Sequence, residues 1–289
     1  TGVQTCALPI SQAAGQIDPT KTASVQFTLT ANEAIDASTV TSADFTITNS
    51  AGPTITCAGS TCTITAVPSA QGPVTIALAG AFSVADTLGN TTTVAGGSDR
   101  SVTFDSVAPT LTLQQAIGQG DPTRNAAIAF ELSANEALDG TTITAADFTA
   151  TNGSVTAVAG SGSTYTVTVT ASGQGAVGVG VSGTFSVNDA AGNTATTAGG
   201  SDRTVTFDSV PATVTLVQAA DQSDPTGSTT VTFTLSANET LNASSVAASD
   251  FTITNGGTPT ITGAGSTYTI RVVATADGAV TIAPSGSFA

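Results

Sequence analysis

FTLTANEAIDASTVTSADFTITN (27–49), FELSANEALDGTTITAADFTATN (130–152) and FTLSANETLNASSVAASDFTITN (233–255) are one segment written three times, each copy starting 103 residues after the one before. The register extends outward from this segment without a gap. It aligns D-P-T segments at Asp18, Asp121 and Asp224 and D-F steps at Asp44, Asp147 and Asp250. It also aligns the loop D-T-L-G-N (86–90) with D-A-A-G-N (189–193), and F-D-S (104–106) with F-D-S (207–209). An ungapped period of this length marks a tandem array, so the chain reads as three units in series.

Within each copy the apolar positions alternate. Val25, Phe27 and Leu29 interleave with Gln26, Thr28 and Thr30, and the pattern returns at Ile128, Phe130 and Leu132 and at Val231, Phe233 and Leu235. A period of two is that of a half-buried strand, and threonine suits the solvent face of the pleat. Further strands read at 45–48, 102–104, 111–113, 164–169 and 177–181, separated by Gly, Ser, Asn and Asp clusters, with no sustained helical period. About seven short strands in roughly 100 residues is the signature of an immunoglobulin-type sandwich, here without the Cys-Trp-Cys core of antibody domains. The fold class expected is therefore all-β: tandem immunoglobulin-like antiparallel β-sandwiches, three units, the first and third truncated. The expected spans are 11–107, lacking its first strand; 108–210, complete; and 211–289, stopping at Phe288, the counterpart of Phe82 and Phe185.

Composition excludes several functions. Twenty acidic residues against five basic give a net charge of −15, which repels nucleic-acid backbones and anionic lipid surfaces. There is no histidine, which removes the commonest general base, the usual hydrolase triads and most zinc sites. With no Trp and only Tyr165 and Tyr268, the chain lacks the stacking surface of many sugar-binding modules. Paired carboxylates could serve a glycosidase, but here they recur in every unit without an aromatic cleft, so no enzyme is expected. A hydrophobic share of 40% in clean alternation separates the chain from acidic disordered sequences, and no apolar run is long enough to span a bilayer. Four N-x-S/T sites, at Asn90, Asn152, Asn238 and Asn242, read as loop composition, and Asp99-Arg100 and Asp202-Arg203 as local ion pairs of little energy.

Two resemblances follow. The opening ten residues, TGVQTCALPI, resemble the conceptual translation of a sequencing-library adaptor, so 1–10, including Cys6, are set apart from the fold. The run F-D-S-V-A-P-T-L-T-L (104–113), the ANEA and ADF segments and the D-x-x-G-N loop resemble the bacterial Ig-like repeats of large surface adhesins and biofilm-associated proteins, over nearly the whole of 11–289. That resemblance implies secretion, surface display, a non-catalytic stalk of many copies, and calcium at the junctions between repeats. The partners it implies are neighbouring repeats and host or matrix ligands bound through other domains. The third unit departs where V-P-A (210–212) replaces V-A-P (107–109). The alternative is a glycan- or protein-binding accessory module of a secreted hydrolase.

Strand direction places the calcium ligands. In an up-and-down traverse of seven antiparallel strands, each unit starts at one pole and leaves at the other. Loops carrying Glu136, Asp139, Asp189 and Asn193 then face the preceding unit's Asp105 and Asp18, and calcium takes six to eight such oxygens. The second junction has Asp208, Asp121 and Glu239, while Glu33, Asp86 and Asn90 occupy the first unit's N-terminal pole. The other reading is that Asp and Asn sit in turns for backbone hydrogen bonds alone. A disulfide is expected between Cys57 and Cys62, which alternation puts on one face of adjacent strands, where the other units have Gly160 with Tyr165 and Gly263 with Tyr268. The alternative is two buried thiols.

Overall fold

A computed structural model describes residues 9–80, 82–92 and 96–285. The chain divides into two compact units: Thr1–Ser209, holding the first two repeats, and Val210–Ala289, holding the third.

The first repeat contains β1 (Ile10–Gln12), β2 (Val25–Thr30), β3 (Phe45–Thr48), β4 (Ser50–Ala58), β5 (Thr61–Pro68), β6 (Gly72–Leu78), β7 (Val84–Ala85), β8 (Thr91–Thr92) and β9 (Ser101–Phe104). The second repeats the series with β10 (Leu111–Gln115), β11 (Ala127–Ala134), β12 (Phe148–Thr151), β13 (Gly153–Ser161), β14 (Thr164–Ala171), β15 (Gly175–Val181), β16 (Val187–Asn188), β17 (Thr194–Ala195) and β18 (Thr204–Phe207). The third shows β19 (Val214–Gln218), β20 (Thr230–Ala237), β21 (Phe251–Thr254), β22 (Thr260–Ala264), β23 (Thr267–Val273) and β24 (Thr281–Pro284).

The sheet orders are β1-β2-β5-β4 facing β3-β6-β9, and β10-β11-β14-β13 facing β12-β15-β18. This is the four-on-three strand order of a constant-type immunoglobulin sandwich. It corrects the simple up-and-down traverse, because the chain changes sheet between the second and third strands of each repeat. Strand directions are unchanged by the correction, since the ladders between named strands are antiparallel and the isolated bridge from the opening strand to Gly199 is parallel. In the second unit the order is β19-β20-β23-β22, with β21-β24 as the other sheet among the described residues.

Alternation fills the cores as expected. Phe27, Leu29, Ile64 and Val25 are fully buried in the first repeat and Phe130, Leu132, Ile128 and Leu113 in the second. The third packs Leu235, Ile270 and Val272 around Phe233 and Phe251. One expectation fails at the N-terminus. The first repeat does have an opening strand: Ile10 pairs with Leu29 as Leu113 pairs with Leu132, and Ile10 is fully buried. The alternation continues into Ile10, so this residue belongs to the core and not to the excluded 1–10 segment; residues 1–8 lie outside the described set.

In the first two repeats the outer edge of the opening strand is covered by the segment before the last strand. Leu113 N donates to Gly199 O (2.9 Å) and Gly199 N to Leu111 O (2.7 Å), and Ile10 N donates to Gly96 O (2.9 Å). The next residue, Gly200, has φ +112°, and a Cβ there would lie 2.0 Å from Leu113 O, so only glycine admits this approach. Arg203 clamps the segment by donating Nη2 to Ala198 O and Gly199 O and Nε to Leu113 O. Its guanidinium therefore holds backbone carbonyls, a role the reading as a local Asp-Arg pair did not anticipate.

Candidate metal centre

The connection between the first two repeats is fastened at both ends. Asp105 N donates to Thr20 O (2.9 Å), while Gln71 accepts from Ser106 N (2.9 Å) and donates to Ser106 Oγ (2.7 Å). At the far end Thr110 N donates to Asn135 Oδ1 (2.7 Å), and Asn135 N returns a bond to Thr110 O (3.2 Å). The linker is thus bound to the repeat it leaves and to the repeat it joins, and the Asp105 carboxylate is carried to the boundary between them.

The D-A-A-G-N loop meets it there. Asp189 Oδ1 accepts from Asn193 N (2.9 Å) and Oδ2 from Asn193 Nδ2 (2.8 Å), and the same Nδ2 donates to Asp105 O (3.0 Å). The first repeat's loop makes the same internal bonds, Asp86 accepting from Asn90 N (2.8 Å) and Nδ2 (2.7 Å), but in the open. Packing against the preceding repeat buries the loop: Leu88 is 86% exposed, whereas its counterpart Ala191 is 9% exposed and Asp189 2%.

Asp105, Glu136 and Asp189 each bring a carboxylate oxygen to within 4.8 Å of the other two. Burial pushes the Glu136 carboxyl above its ordinary value, and the charges of Asp105 and Asp189 push it further. Each Asp189 oxygen receives one hydrogen bond from Asn193, which leaves lone pairs on both. An all-oxygen, acid-rich donor set fits a hard divalent cation such as calcium and not a thiolate- or imidazole-seeking metal.

Four of the residues assigned to this junction are therefore brought together: Asp105, Glu136 and Asp189 as carboxylates and Asn193 as their brace. Two are not, and each is held elsewhere. Asp139 caps a short 3-10 turn, accepting from Thr141 N (3.0 Å) and Oγ1 (2.7 Å), and these bonds lower its pKa. Asp18 accepts from Thr103 N (2.9 Å), tying its loop to β9; Asp121 does the same with Thr206 N (2.9 Å). Asp208 repeats the backbone bond of Asp105, donating its N–H to Thr123 O (2.8 Å), and Glu239 lies in the other unit. At the first repeat's N-terminal pole, Asp86 and Asn90 form an Asx loop, and Glu33 is exposed.

Three contributors went unread in the sequence. Asn135, in the repeated ANE triplet, secures the strand start beside Glu136, and Asn238 does so in the third repeat by accepting from Thr213 N (2.7 Å). Gln71 clasps the linker, as Gln174 clasps Ser209 (2.8 Å). Lys21 crosses the boundary, donating Nζ to Gly192 O (2.5 Å). Periodicity carried the signal for each: Gln71 recurs as Gln174, and Lys21 as Arg124. Away from the junction, Cys57 and Cys62 are directly paired across β4 and β5 and joined by a disulfide, with Cα atoms 4.0 Å apart.

No family model matches the sequence, and no curated protein shows significant similarity to it. Among solved structures, the chain is similar to FdeC, an Escherichia coli adhesin, at 14% identity and a TM-score of 0.47, covering 100% of this chain and 94% of that one. It is also similar to invasin, a bacterial integrin-binding protein, at 16% identity and a TM-score of 0.36, covering 97% of this chain and 56% of that one. InvD of Yersinia pseudotuberculosis shows 15% identity and a TM-score of 0.35, covering 99% of this chain and 86% of that one.

Proposed function

We propose that these repeats are the non-catalytic spacer of a secreted or surface-anchored bacterial adhesin, extending a binding head and stiffened by calcium between repeats. The observation that carries this reading is the meeting of Asp105, from one repeat's linker, with Glu136 and Asp189 of the next. Three carboxylates drawn from two domains repel one another; a divalent cation between them converts that repulsion into a tie. Ligands would come from Asp105, Glu136 and Asp189, with Asn193 orienting Asp189. The partners on this reading are the neighbouring repeats, with host or matrix surfaces engaged by other parts of the parent protein.

Titration of the 289-residue chain with calcium tests it, by calorimetry against a chelator control. Binding heat and a higher melting temperature are expected, both lost in Asp105→Asn. No heat and no change in melting would overturn the calcium reading.

A further inference from the structure

Lys21 is the only lysine in the chain and one of five basic residues, and it spends its charge on a neighbouring repeat. Its ammonium donates to Gly192 O (2.5 Å), across 171 positions of sequence. Both partners are preset. The backbone next to Lys21 is pinned, because Thr20 is 3% exposed, donates its N–H to Thr103 O (2.9 Å) and receives Asp105 N. The acceptor lies in a closed turn, Gly192 N donating to Asp189 O (3.2 Å), and the equivalent turn of the first repeat has the same form, with Gly89 N donating to Asp86 O (3.1 Å).

One anchored piece of the first repeat therefore presents two groups to one loop. Asp105 O receives the Asn193 amide, and Lys21 reaches Gly192 of the same loop. A single contact leaves rotation about it free; a second contact beside it fixes the angle. We infer that Lys21 is a positioning residue that sets the rotation of the second repeat on the first, a latch that needs no metal. The position after D-P-T is basic again at Arg124 and is Gly227 in the third repeat, so the sequence at this one place decides whether a repeat can offer the latch at all.

The single lysine makes the test direct. In chelator, reductive methylation of Lys21 in the full chain is expected to run about five-fold or more slower than in an unstructured peptide of the same local sequence, the protection of a charge-assisted hydrogen bond. By 15N relaxation the first two repeats should tumble as one body in the parent chain and in Lys21→Arg, and separately in Lys21→Met. Peptide-like methylation, or Lys21→Met repeats that still tumble together, would falsify the latch. Because these measurements are made without calcium, their outcome is independent of whether Asp105, Glu136 and Asp189 bind the ion; repeating them in calcium reports on that site alone.

Discussion

The side-chain amide of Asn193 donates to the backbone carbonyl of Asp105, 88 residues earlier, while holding the carboxylate of Asp189 with the same nitrogen. One buried amide thus belongs to two domains. Asn193→Ala should strip Asp189 of a donor and the linker of its partner, costing about 1–3 kcal/mol. Differential scanning calorimetry checks this: the first two repeats, expected to melt together in the parent, should separate into two transitions.

Glu136→Gln should move stability in opposite directions with and without calcium. Its carboxylate is opposed by burial and by Asp105 and Asp189, so neutralising it in chelator should stabilise the unit and raise its melting temperature. The same change should remove most of the stabilisation that calcium gives. Parallel melts of the two proteins in each condition decide the matter.

The pH dependence follows from the same group. Glu136 has a folded pKa raised above 4.5, so its favourable contribution is fully present below that ordinary value and is lost as pH rises through the raised one. Asp36, Asp86 and Asp139 are lowered below 3.8, so theirs is present above 3.8 and lost as pH falls through the lowered values. In chelator, stability of the first unit should therefore rise on mild acidification and fall again in stronger acid. A monotonic decline from neutral pH would contradict the assignment; calcium should flatten the rise.

Gly160 faces Tyr165 across β13 and β14 with φ +156°, and a Cβ there would lie 2.4 Å from Thr164 O and 2.6 Å from Tyr165 Cα. Gly160→Ala should cost about 1–3 kcal/mol by forcing these backbones apart. Urea denaturation at constant m-value measures it.

The first repeat has the Cys57–Cys62 bridge at that place. The loop it closes is short, so replacing both cysteines by alanine should cost only about 2 kcal/mol through chain entropy. Mass spectrometry after alkylation without reductant should find neither thiol labelled.

Much of this was legible because strand periodicity and the 103-residue register are long signals. Val25, Phe27 and Leu29 face inward as their alternation requires. Antiparallel pairing alone then sends Glu136 and Asp189 to the pole that faces Asp105. The misplacements were of two kinds. Asp139 bonds two residues ahead to Thr141, a local turn habit that competes with any distant role and was visible in the sequence as D-x-T. Asp18 is held by Thr103, 85 residues away, and nothing local marks that. The hairpin of β16 and β17 was missed because two-residue strands carry no period at all.

Neighbours as alike as these three repeats run a hazard while they fold, since a strand of one can pair into the sheet of the next. The folded-back A-G-G-S-D-R segment answers it at the opening strand: Gly199 fills the hydrogen-bonding sites of Leu111 and Leu113, and Arg203 locks the segment down. A stray strand finds that seam already occupied. The glycine pair thus keeps that side of the opening strand from offering free hydrogen-bonding groups to a look-alike neighbour.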